Sequence, residues 1–139
     1  MELTIEQALQ QGVAAHREGK FQDAERLYRA ILQSQPGHPD ANHNLGVLAV
    51  AFNKADSALP LFKAAVEANP KIEQFWLSYI DVLIKEQQFD IAKQVIEGAK
   101  KQGVALEKLN VLKAQFLSKT DSANINPPQE LINKLLDHY

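Results

Sequence analysis

Three sixteen-residue stretches decide the fold: FQDAERLYRAILQSQP (residues 21–36), ADSALPLFKAAVEANP (55–70) and FDIAKQVIEGAKKQGV (89–104). They lie 34 residues apart, and the positions that repeat are those that packing would constrain. A small residue recurs at Ala24, Ala58 and Ala92, and a large apolar one at Tyr28, Phe62 and Ile96. Pro36 and Pro70 close the first two stretches. Outside them the register persists: Gly12 falls on Gly46, and Ala8, Asn42 and Trp76 share a column, as do Phe21, Ala55 and Phe89.

Each stretch reads as the second helix of a pair. Ala24, Leu27, Tyr28, Ile31 and Leu32 fall at i, i+3, i+4, i+7 and i+8, the spacing of one buried helical stripe. A first helix precedes it: Thr4 and Gln7 form a capping box, the helix runs to about His16–Arg17, and Gly19-Lys20 breaks it. The second unit repeats this from Pro39, with Leu45, Leu48 and Phe52, then Ala58, Leu61, Phe62 and Ala65, as core. The third starts near Glu73, with Trp76, Tyr79, Ile80 and Leu83, then Ala92, Val95, Ile96 and Ala99. A single helix pair cannot bury its apolar face, so pairs stack, and about three units give a stable core. The reading is an all-α solenoid with repeats at about 5–38, 39–72 and 73–106.

These units resemble the tetratricopeptide repeat family, whose 34-residue pattern sets small residues where the two helices cross and a proline at the closing turn. Gly12 and Gly46, Ala24, Ala58 and Ala92, Tyr28 and Phe62, and Pro36 and Pro70 match it, and Trp76 takes its aromatic position in the third unit. The resemblance covers residues 4 to about 118 and implies a right-handed superhelix of antiparallel helix pairs. The third unit departs from the pattern at Ile80, where glycine is expected, and at Val104, where proline is. The first departure implies a wider gap between its helices, the second a less defined turn.

After the third unit the pattern changes. Residues 107–118, with Leu109, Leu112, Phe116 and Leu117 apolar, read as a helix capping the open end of the stack, and residues 119–127 as a polar, turn-rich linker. Pro128 opens a last helix, 128–139, whose Ile132, Leu135, Leu136 and Tyr139 carry the spacing of a repeat's first helix. It reads either as the start of a further repeat, in a piece of a longer protein, or as a natural C-terminal helix packed on the array. Left unpaired, its apolar face should dock in the array's own groove or on a second molecule, forming a homodimer.

The composition narrows the chemistry. A net charge of −2 supplies no basic face for nucleic acid or an anionic membrane, and no apolar run approaches the ~20 residues of a membrane span. With no cysteine and no basic-then-apolar leader, a cytoplasmic protein is expected. His38 and His43, five apart around Asp40, do not share a helix face, and His16 and His138 are isolated, so no metal site is expected. No phosphate loop, nucleophile motif or arranged acid–base pair is present, so neither cofactor nor catalysis is expected of this segment.

The resemblance instead implies protein binding, with the first helices lining a concave groove. It places at that groove Leu9, Val13, His16 and Arg17 from the first unit, and Asp40, His43, Asn44, Val47 and Ala51 from the second. The third contributes Gln74, Leu77, Ser78, Asp81 and Lys85. Apolar residues mixed with hydrogen-bonding groups suit an extended peptide or an amphipathic helix. Of the basic clamp by which chaperone-binding members hold a terminal carboxylate, only Asn44 matches, and Asp40 would repel a carboxylate. Asn44 also matches the asparagine ladder of O-GlcNAc transferase arrays, though Gln10 and Ser78 flank it. An N-terminal arm of a larger bacterial glycosyltransferase or sulfotransferase, presenting substrate or oligomerising, is therefore the alternative context.

Overall fold

A computed structural model describes residues 3–125, and the side chains of residues 3–115. Seven helices make up the described residues: α1 (Ile5–Arg17), α2 (Phe21–Ser34), α3 (Pro39–Ala51), α4 (Ala55–Ala68), α5 (Glu73–Lys85), α6 (Phe89–Lys101) and α7 (Leu106–Ile125). Consecutive helices pack as pairs, α1 on α2, α3 on α4 and α5 on α6. The first helices also touch one another, α1 to α3, α3 to α5 and α5 to α7, whereas the second helices have no comparable mutual contact. One row is therefore closed up and the other fanned out, which makes α1, α3 and α5 the inner, concave face of a solenoid.

The helix ends follow from local chemistry. Thr4 Oγ1 accepts from the Gln7 amide at 3.0 Å and the Gln7 side chain returns a bond to the Thr4 amide at 2.9 Å, the capping box expected from the sequence. Four helices close alike: Lys20 N–H reaches Ala15 O at 2.8 Å, Lys54 N–H Ala49 O at 2.8 Å, Gln88 N–H Leu83 O at 2.8 Å and Val104 N–H Ala99 O at 3.1 Å. Each closure needs a residue in the left-handed region, and Gly19, Asn53, Gln87 and Gly103 hold it. The missing proline at position 104 therefore leaves no loose turn: Gly103 supplies the reversal and Val104 is buried beneath it.

Each helix crossing pairs a size with its complement. A Cβ added at Gly12 would lie 2.7 Å from Tyr28 Cε1, and one at Gly46 2.7 Å from Phe62 Cε1. In the third pair Ile80 and Ile96 replace glycine and aromatic, and both are buried. The α5 and α6 backbones approach less closely than those of the earlier pairs, the wider gap that Ile80 implied. Into this gap goes Trp76, whose ring lies 3.2 Å from where a Gly98 Cβ would stand and whose Nε1–H donates to Pro70 O at 2.8 Å. Asn42, the same column one repeat earlier, donates to Pro36 O at 3.0 Å, so two unlike side chains make one tie to the preceding turn.

Two expectations need correction. Phe52 is not a core residue: it sits at the C-cap of α3, 52% exposed, with its ring 5.4 Å edge-on from Phe21. And the capping helix does not stop at 118 with a linker over 119–127, because α7 runs on to Ile125. Ser, Thr, Asp and Asn at 118–124 lower helix propensity by only tenths of a kcal/mol each, whereas the first residue that forbids continuation is Pro127. The helix expected at 128–139 lies outside the described residues.

Candidate functional site

The concave face is built from the inner sides of α1, α3 and α5. Leu9, Val13, Val47 and Leu77 are each half-buried there: Leu9 packs on the core of the first two repeats, Val47 and Leu77 on that of the second and third. Arg17, Asp40 and Lys85 are exposed, and Lys85 Nζ pairs with Asp81 at 2.9 Å along α5. That ion pair is solvated and adds little to stability. His16, Asn44, Ser78 and Asp81 are half-buried, and Ala51 and Gln74 exposed.

His43 stands apart from the other candidates. It is 9% exposed, with its ring centroid 4.8 Å from that of Phe75 and 5.5 Å from that of Phe62. Its Nδ1 lies 3.3 Å from Asn44 Oδ1 and its Nε2 2.9 Å from Ser78 Oγ. An amide oxygen can only accept, so Nδ1 carries the proton and Nε2 accepts from the Ser78 hydroxyl. His43 is thus chiefly a bridge between the second and third repeats, seated under the groove rather than displayed in it. Burial lowers its pKa, while Asn44 and the charge of Asp40 act the other way, so the neutral ring is favoured.

The bridge belongs to a longer chain of polar contacts. Gln74 Nε2 donates to Ser78 Oγ at 3.0 Å. On the other side the Tyr28 hydroxyl lies 3.4 Å from His16 Nδ1. Burial raises the Tyr28 pKa and the Asn44 side chain offsets part of that rise. Asn44 and Ser78 thus meet through His43, and Tyr28, read from the sequence only as core, contributes its hydroxyl. Its place in the Phe62 column, facing Gly12, signals a large apolar ring there, but nothing in the periodicity signals what the hydroxyl would reach.

His38, on the other side of Asp40 from His43, has a local task. His38 Nδ1 accepts from the Ala41 amide at 3.1 Å and caps α3. Among the described residues no three His, Cys, Asp or Glu side chains stand together to hold a metal ion, and no helix is long and apolar enough to cross a membrane.

The family model described as tetratricopeptide repeat matches residues 9–71 and, in a second register, 43–101. No curated protein matches the chain. Among solved structures, the Sgt2 TPR domain from Aspergillus fumigatus is 19% identical, with TM-score 0.75, and the match covers 89% of this chain and 85% of that one. The Yersinia enterocolitica type III secretion translocator chaperone SycD is 17% identical at TM-score 0.71, over 86% of this chain and 90% of that one. An O-GlcNAc transferase from Thermobaculum terrenum is 21% identical at TM-score 0.68, over 85% of this chain, which spans only 24% of that protein. At these identities the likeness is one of fold.

Proposed function

The chain belongs to the tetratricopeptide repeat family, and from that premise we propose that it is a non-catalytic interaction module holding a peptide or amphipathic helix of another protein in its concave groove. The family's common use, protein–protein interaction, supports the class. The observation that carries the groove is the alternation along α1, α3 and α5 of half-buried aliphatic side chains (Leu9, Val13, Val47, Leu77) with amide and hydroxyl groups (Asn44, Ser78). Apolar side chains there can accept a partner's anchors, while the polar groups bond its backbone. Arg17, Asp40, Asp81 and Lys85 stand around it with charges of both signs, which suits a partner of mixed charge.

The test is capture of partners from the source cell's lysate by the intact chain and by an Asn44→Ala, Val47→Glu double variant with unchanged helical circular dichroism. The double variant should lose the partners that the native chain retains. Undiminished capture would place the binding surface elsewhere.

A second reading has one observation behind it, the likeness of fold to the O-GlcNAc transferase. On that reading the repeats are the arm of a larger bacterial glycosyltransferase or sulfotransferase, and the groove presents its protein substrate or joins two copies. The length of the full open reading frame separates the two.

A further inference from the structure

The convex face has a feature that the groove reading leaves unused. Between α4 and α6 runs an open cleft of about 610 Å³, floored by Trp76 and Leu83 of α5 and walled by Leu59, Pro60, Ile91 and Val95. Ile91 is 42% exposed, a large aliphatic side chain facing solvent at its mouth. The repeat supplies an internal control. One register earlier the positions of Leu59, Pro60 and Ile91 hold polar residues, the half-buried Glu25 and the exposed Arg26 and Ser57. Stacking two helix pairs therefore does not require an apolar lip here. Pro60 sharpens the contrast, because a proline inside a helix removes a backbone hydrogen bond that Arg26 keeps.

The sequence holds an occupant of matching shape. In a helix over 128–139, Ile132, Leu135, Leu136 and Tyr139 form one ridge, flanked by Gln129 and Asn133, with Glu130, Lys134 and Asp137 on the opposite side. From Ile132 to Tyr139 that ridge is about 10 Å long at 1.5 Å per residue, within the span of α6 that lines the cleft from Gln88 to Gly98. Besides the apolar side chains, the cleft carries Gln88 and Gln94 on the α6 side, polar like the ridge's flanks, and the charged Lys63 and Glu67 on α4.

We propose that segment 128–139 of one copy lays its apolar ridge into the α4–α6 cleft of a second copy, in a reciprocal homodimer. Reach separates the two copies from one. Lys119 is the α7 counterpart of Lys85, where α5 ends, and α7 continues to Ile125, about 9 Å farther. From Ile125 to Pro128 the chain spans at most about 11 Å, and α6, about 10 Å across, stands between α7 and the cleft. Docked on its own cleft, the segment would have to turn back past the end of α7 and cross α6 within that length; a second copy meets neither constraint. Reciprocal exchange closes the pair, which a one-way insertion would not.

The only tryptophan of the chain lies in the cleft floor, so the test carries its own probe. Sedimentation velocity and Trp76 emission are followed over a dilution series of the full chain, of Leu59→Glu with Ile91→Ser, and of Leu135→Asp. The first variant copies the residues of the earlier junction onto exposed or half-buried sites, and circular dichroism checks that each variant is folded. The native chain should be a dimer whose Trp76 emission shifts as it dissociates, and both variants should weaken dimerisation at least tenfold. A native chain monomeric at every concentration overturns the proposal. So does a dimer that both variants leave intact, and so does a monomer in which Leu135→Asp alone moves the Trp76 emission, the mark of docking within one chain.

Discussion

Gly46 and Phe62 share one contact whose size belongs to the pair. A methyl at 46 would stand 2.7 Å from Phe62 Cε1 and 2.9 Å from Cδ1, closer than carbon atoms approach. Gly46→Ala should cost about 1–3 kcal/mol by overpacking, read as a lower urea midpoint. Adding Phe62→Leu should recover part of the loss, because Ile80 with Ile96 shows that a shorter second residue admits a side chain on the first helix. No recovery would mean that the backbone, not the ring, sets the distance. His43 carries a second expectation at this scale. Its pKa is lowered in the fold by burial, so the unfolded chain takes up the proton first. The stability it contributes is complete above about 6.5, its unperturbed value, and falls as pH drops from there toward the lowered value. Urea midpoints measured from pH 7.5 to 5 should fall for the native chain and fall less for His43→Gln. Equal slopes would remove His43 as the cause.

Among the helices, α1 to α6 were legible because period, small-residue columns and turn residues agree on one register. What misled was composition without a breaker: the polar run after Ser118 resembles a loop, yet no proline or glycine stands in it before Pro127. Phe52 misled for the opposite reason, since a helical stripe does not say where the helix ends, and the left-handed Asn53 closes α3 at that point. Contacts between repeats were the least legible: neither the His43–Ser78 bond nor the tie of Glu73 to α7 leaves a periodic trace. Glu73 accepts from the Ala105 amide at 2.9 Å and from Lys108 Nζ at 2.8 Å, and both hold its pKa below the usual carboxylate value. That support is present above the unperturbed value and lost as pH falls through the lowered one. Glu73→Gln should therefore speed amide exchange in the first turn of α7 at neutral pH while leaving α3 unchanged. Equal exchange in both proteins would show that apolar packing of Leu109 alone seats the helix.

Across the whole molecule, the side chains that tie the repeats together also line the concave side. The chain from Gln74 through Ser78 and His43 to Asn44 joins the second and third repeats, and among the described residues no buried side-chain nitrogen or oxygen lacks a partner. A groove fixed in this way is pre-organised, so a ligand loses less affinity to ordering it. The polar and apolar residue types along the groove could be named from the sequence, but the burial of His43 depends on Phe62 and Phe75 meeting it from neighbouring helices. The most direct test of a concave binding surface is amide hydrogen exchange of the chain with and without a peptide selected on it from a random displayed library. Protection is predicted along α1, α3 and α5 with α2, α4 and α6 unchanged; protection confined to α4 and α6 would contradict the account.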